Sequence, residues 1–60
     1  MQEPFSFEVT TYDNGWETFT DVTKARVIDG FVVVTRSNGE VHSFNVNDVT
    51  RTRAWAPDEN

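Results

Sequence analysis

The chain has 60 residues, a formal net charge of −5 at pH 7, no Cys and a single His. These totals exclude a disulfide-stapled fold and a zinc site built from Cys and His ligands. Val, Ile and Thr supply 18 residues whereas Leu is absent, and β-branched side chains fit strands better than helices. The composition therefore excludes a helical bundle and predicts one small all-β domain spanning residues 1–60.

The predicted elements follow from alternating apolar residues separated by Gly-containing turns. Three dipeptides are turn signals because Gly accepts positive φ and Asn or Asp tolerates it: Asn14-Gly15, Asp29-Gly30 and Asn38-Gly39. The strands predicted between them, in chain order, are 5–10, 16–20, 24–28, 31–36, 40–44 and 50–55. Residues 1–4 and 56–60, which contain both prolines, are predicted to be flexible tails.

Two local features leave alternatives open. The Asn14-Gly15 turn has either two residues, or three with a bulged Gly, and the choice decides whether Trp16 shares a face with Phe7. In 21–29, apolar residues at spacing three also fit a two-turn helix that begins after Asp21. The β-branched residues in this segment favour a strand.

The sequence contains an internal similarity. Segment 9–15 aligns with 33–39 at an offset of 24, and 21–26 aligns with 48–53 at an offset of 27. In the second alignment, each segment consists of Asp-Val-Thr followed by three residues of which two are basic. Reuse of common turn residues would explain part of this match. The similarity predicts two three-stranded halves, 5–28 and 31–55, related by a pseudo-twofold axis. They would form an antiparallel meander of five to six strands, closed into a small SH3-like barrel or packed as a thin sandwich.

The charges are distributed unevenly along the chain. Residues 1–21 contain five carboxylates and no Lys or Arg, whereas 22–53 contain all five basic residues and three carboxylates. This pattern suggests electrostatic complementarity within one chain or between two copies. It argues against a dedicated nucleic-acid binder, which is usually strongly basic.

Two basic pairs are the most specific feature. Lys24 and Arg26, like Arg51 and Arg53, are spaced by two residues, so each pair points to one face of its strand. Trp55 has the same parity as Arg51 and Arg53. These five residues are the predicted binding residues, because Arg and Trp are enriched at interaction hot spots and in base-stacking platforms. Alternatively, the basic residues guard sheet edges and Trp55 caps the core.

No motif indicates catalysis or a cofactor. His42 is either a general base or a residue at the rim of the sheet, and no nucleophile motif or Gly-rich phosphate loop accompanies it. Glu8, Glu17 and Asp21 are predicted to be solvated surface carboxylates. Asp13-Asn14 supplies too few oxygens to indicate calcium. We therefore expect no enzyme, no cofactor, no metal and no small-molecule substrate.

The expected function is a small, oligomeric interaction module acting through protein–protein contacts. Its size and simplicity alone suggest an adaptor or a phage-type accessory protein. In a homodimer, the acidic hairpin within residues 1–21 of one copy would contact the basic residues of the other copy. The alternatives are a single-stranded nucleic-acid binder that uses the Arg/Trp strand, and an acidic mimic of DNA. The longest apolar run, Phe31–Val34, is too short for a membrane span or signal peptide, so a cytoplasmic location without membrane contact is expected.

Overall fold

The computed structural model describes residues 3–56, which form one antiparallel sheet. Its elements are β1 (Phe5–Thr11), β2 (Gly15–Ile28), β3 (Phe31–Arg36), β4 (Val41–Asn45), a 3₁₀ turn (Val46–Asp48) and β5 (Val49–Trp55). The all-β antiparallel prediction is confirmed. The described residues hold no helix that is long and apolar enough to cross a membrane. Most of the predicted tails, residues 1–2 and 57–60, lie outside the described residues.

The sheet is open, with strand order β4-β3-β2-β1-β5, so the predicted closed barrel is wrong, and so is the predicted sandwich of two sheets. Closure would require β4 and β5 to pair with each other. The 3₁₀ turn instead leads from β4, at one edge of the sheet, to β5, which pairs with β1 at the opposite edge. The sheet is nevertheless curved, because the rings of Phe19 in β2 and Phe44 in β4 lie 6.0 Å apart although β3 separates these strands.

The core lies on one side of this sheet. Its buried members are Phe7, Val9, Phe19, Val22, Val32 and Val34, and four partly buried residues pack against them: Phe5, Ala25, Phe44 and Val49. In β1 and β3 the core residues occur at every second position, as the pleat requires. Four of the six buried core residues are Val, a β-branched residue that suits strands.

The second strand is longer than predicted. Segments 16–20 and 24–28 belong to the single strand β2, so the sheet has five strands rather than six. Asp21 within it has φ 57°, a left-handed conformation that Asp tolerates better than most residues. This residue bends the strand without ending it. The strand interpretation of 21–28 is confirmed, and the alternative helix does not form.

The turns settle the register of the β1–β2 and β2–β3 hairpins. Thr11 pairs with Gly15, so the first loop has three residues and Gly15 follows it with φ 72°. Consequently Trp16 lies opposite Thr10, on the face away from Phe7. Asp29 and Gly30 form a two-residue turn with φ 51° and 81°, the pair of left-handed residues that a type I′ hairpin needs.

The β1–β2 and β3–β4 hairpins correspond at an offset of 25. Four consecutive pairs of the β1–β2 ladder, from Phe7↔Phe19 to Thr10↔Trp16, become pairs of the β3–β4 ladder when 25 is added to each number. Phe7↔Phe19 thus becomes Val32↔Phe44, and Val9↔Glu17 becomes Val34↔His42. The offset of 24 from the sequence alignment is therefore wrong by one residue. It matched buried Val9 with Val33, which points away from the core. The apolar residues set the register, and a slip of one residue would turn them to solvent.

The strands that carry the basic pairs also correspond. Adding 27 to the β2 residues and subtracting 25 from the β3 residues converts the β2–β3 ladder into the β5–β1 ladder: Lys24↔Thr35 becomes Arg51↔Thr10, and Arg26↔Val33 becomes Arg53↔Glu8. The offset of 27 thus agrees with the observed pairing. Each half contributes its third strand to the first strand of the other half.

The shared Asp-Val-Thr segment has the same contacts in both halves. The carbonyl oxygen of Asp21 accepts from the amide of Ser37 at 2.7 Å, and that of Asp48 accepts from Tyr12 at 3.1 Å. The Val that follows packs in or against the core in each half. The next Thr donates its hydroxyl across the ladder, from Thr23 to the Thr35 carbonyl at 3.3 Å and from Thr50 to the Thr10 carbonyl at 3.2 Å.

Candidate functional site

One candidate site lies on the outer side of the sheet, the side away from the core. Paired residues share a side, and β1 places Phe7 and Val9 in the core. Their neighbours Ser6, Glu8 and Thr10 therefore point outward together with the residues they pair with. We call four of these outward residues the Arg/Trp face: Trp16 of β2, and Arg51, Arg53 and Trp55 of β5.

The end of β5 combines a cation with an aromatic ring. The guanidinium carbon of Arg53 lies 4.9 Å from the ring centroid of Trp55, within the range of a cation–π attraction. Trp55 pairs with Ser6 and does not belong to the hydrophobic cluster. Trp55 is half-buried and lies beside Arg53, in agreement with their shared parity.

Trp16 extends this face across β1. It is 71% exposed and lies in the same row as Thr10 and Arg51. Together with Glu8 and Thr50, these residues line an open depression of about 400 Å³. Sequence reasoning did not include Trp16 in the site because the length of the first turn was undecided. That turn length was the signal that would have placed it there.

The acidic hairpin and the basic strand meet within one chain. Glu8 lies directly opposite Arg53 in the β1–β5 ladder. The two ion pairs found among residues 3–56 are both made by Glu40, with Arg36 and His42. Arg51 and Arg53 take part in neither of them. Within residues 3–56, neither guanidinium of the Arg/Trp face therefore lies within ion-pair distance of a carboxylate.

Lys24 and Arg26 form a separate patch. They point to the outer side opposite Thr35 and Val33 of β3, and they share no ladder with Arg51 and Arg53. Three exposed apolar residues accompany them on that side: Ile28, Phe31 and Val41. We call these five residues the Lys/Arg face. The structure therefore brings the predicted basic residues together as two patches rather than one.

His42 lies at the rim of the core. It has the same inward orientation as Phe44, and its ring lies 4.6 Å from that of Phe19. A hydrogen bond of 3.2 Å joins its Nε2 atom to Oε1 of Glu40. This contact and a 2.8 Å hydrogen bond from Arg36 hold the pKa of Glu40 below its ordinary value. The arrangement ties the start of β4 to the end of β3.

The carboxylates do not form a single site. Glu8 points outward, whereas Glu17 pairs with Val9 and lies on the core side. Asp13 and Asp48 both border a depression of about 210 Å³, whose other lining residues are Thr11, Asn14, Ser43, Phe44 and Asn45. Within the described part of the chain, no three His, Asp or Glu side chains come together as metal ligands do.

The geometry thus consists of two outward patches, each with a pair of basic residues beside exposed apolar ones. We compared the chain with known protein families, with curated proteins and with solved structures. None of the three comparisons found a match.

Proposed function

We propose that this protein is a small non-enzymatic binding module that engages another protein through the Arg/Trp face and the edge of β5. The observation that carries the proposal is the position of Arg53 over Trp55 on an edge strand, with Arg51 beside the exposed ring of Trp16. Trp and Arg are the residues most enriched where binding energy concentrates at protein interfaces.

Strand addition is the proposed mode of binding. β5 pairs only with β1, so its other side offers backbone hydrogen-bonding groups to an extended segment. A segment with acidic side chains at alternate positions would place carboxylates across from Arg51 and Arg53, and opposite charges on neighbouring strands attract. The proposed partner is therefore an extended acidic segment of another protein. A second copy, with five carboxylates in residues 1–21, is the homo-oligomeric form of this proposal.

Single-stranded nucleic acid is the second candidate ligand. Exposed Trp16 and the Arg53–Trp55 stack would suit bases, which bind to aromatic rings. The net charge of −5 repels phosphate groups, so nucleic acid is a weaker candidate than an acidic protein segment. An acidic mimic of DNA is disfavoured because Glu8 and Glu17 lie on opposite sides of the sheet instead of forming one track.

We also propose that the chain consists of two copies of one three-stranded unit related by a pseudo-twofold axis. The matching ladders and the repeated Asp and Thr hydrogen bonds support this proposal. Neither copy covers its own core, because Val9 and Val22 of one half pack with Val32 and Val34 of the other.

The test uses a seven-residue peptide of alternating Thr and Glu, titrated at low salt and followed by the indole NMR signals of Trp16 and Trp55. We expect saturable shifts that weaken as salt is added, because exposed charges are screened. Combined Arg51→Glu and Arg53→Glu should reduce affinity by about tenfold or more. The matched control, combined Lys24→Glu and Arg26→Glu, makes the same charge change and should leave the indole shifts intact.

The outcomes separate the candidate ligands. A peptide in which Lys replaces Glu should not bind. If oligothymidylate shifts the indole signals and the acidic peptide does not, the face binds nucleic acid and the proposal is wrong. If the basic residues only guard the edge, the Glu variants, which also keep charge there, should behave as the wild type toward every ligand.

A further inference from the structure

We infer that the Lys/Arg face is a second binding face for the same class of ligand, an extended acidic segment, so that the protein binds two such segments at once. The inference rests on the proposed function, since it assigns the ligand of the Arg/Trp face to a second place. The inference goes beyond the proposed function because it predicts a stoichiometry of two ligands per chain and a second set of contact residues.

The two faces correspond position by position. The offset of 27 relates Arg51 to Lys24, Arg53 to Arg26 and Trp55 to Ile28, and the offset of 25 relates Trp16 to Val41. Both basic pairs follow a Thr at which the ladder is irregular and whose hydroxyl bonds a carbonyl of the neighbouring strand. Because the local geometry before each pair is the same, both pairs are presented at the same position of an equivalent strand.

Among residues 3–56, the strand segment beneath the second face also has a paired strand on one side only. Residues 24–28 pair with β3, whereas the pairing of β2 with β1 ends at Phe5↔Val22. Val27 pairs with the buried Val32 and so lies on the core side, yet it is 65% exposed. An exposed β-branched residue on a strand segment with one neighbour is a template for a further strand. Strand addition would cover it.

The second face differs from the first in ways that favour an acidic ligand with apolar flanking residues. Val33 occupies the position that corresponds to Glu8, so the residue paired with Arg26 brings no carboxylate that would compete with one from the ligand. Exposed Ile28, Phe31 and Val41 supply apolar contact area. Charge complementarity and strand geometry therefore both point to the same extended acidic segment.

The experiment is a calorimetric titration of the alternating Thr and Glu peptide, combined with backbone amide NMR shifts. We expect two peptides per chain, with shifts at both 24–28 and 51–55. Combined Lys24→Glu and Arg26→Glu should lower the stoichiometry to one and abolish the shifts at 24–28. Combined Arg51→Glu and Arg53→Glu should do the reverse, and the fourfold variant should not bind.

The two proposals fail in different ways. One peptide per chain, bound at 51–55 alone, overturns the second face and leaves the proposed function intact. Absence of binding at both faces overturns both proposals. An amide spectrum of each variant confirms its fold, and combined Lys24→Gln and Arg26→Gln replaces the corresponding Glu variant if that variant unfolds. If that variant still binds two peptides with unchanged affinity, the Lys/Arg face is not a binding face.

Discussion

Arg36 donates a hydrogen bond from Nε to the carbonyl oxygen of Thr20 at 2.9 Å, joining the end of β3 to the residue before the bend in β2. The same guanidinium donates to the carboxylate of Glu40 at 2.8 Å. We expect Arg36→Ala to lower the free energy of unfolding by about 1–2 kcal/mol, because hydrogen bonds of charged groups are stronger than neutral ones. Urea unfolding followed by Trp fluorescence measures this change. Arg51→Ala, an exposed control, should change it by less than about 0.5 kcal/mol.

The lowered pKa of Glu40 predicts a loss of stability in acid. Its carboxylate is stabilised in the folded state by His42 and Arg36. This contribution is present above the ordinary value of 4.5 and disappears as the pH falls through the lowered pKa. When the pH is lowered from neutral to below the pKa of Glu40 in the folded protein, we expect the melting temperature of Glu40→Gln to fall less than that of the wild type. Parallel curves for the two proteins would contradict the role of this carboxylate.

Val9 and Val34 occupy corresponding core positions and are both completely buried. Replacing either by Ala should cost about 2 kcal/mol, from the lost apolar burial and the cavity left behind. Val41→Ala removes the same atoms from a side chain that is 61% exposed, and should cost less than about 0.5 kcal/mol. Chemical unfolding of the three variants provides the comparison. Unequal losses at Val9 and Val34 would show that the two halves are not energetically equivalent.

The bend at Asp21 predicts a difference between two corresponding Asp residues. Asp21 has a positive φ, whereas Asp48 lies in the 3₁₀ turn and is not among the positive-φ residues described. A β-branched side chain is strained in the left-handed region by about 1–2 kcal/mol. Asp21→Val should therefore destabilise the protein by about that amount more than Asp48→Val. Asp21→Gly should relieve the strain, and thermal unfolding measures all three.

The strands and turns were largely readable from local sequence. Alternation of Phe5, Phe7 and Val9 identified β1, and the three Gly-containing dipeptides identified the hairpins. The single strand β2 was not readable, because Asp21 resembles a break where the structure has only a bend. The basic pairs and Trp55 were identified by their spacing, which fixes the face of a strand. Trp16 was missed because its face depends on the length of the preceding turn.

The sequence by itself determined the all-β class, the positions of the strands other than β2, and the repeated Asp-Val-Thr segment, because each depends on the conformational preferences of a few neighbouring residues. Only the tertiary structure decided that the sheet stays open, that the hairpins correspond at an offset of 25, and that the basic pairs form two patches. These properties depend on which strands pair across the chain. That choice is made by burying Val9, Val22, Val32 and Val34 in one core, a contact between residues far apart in sequence.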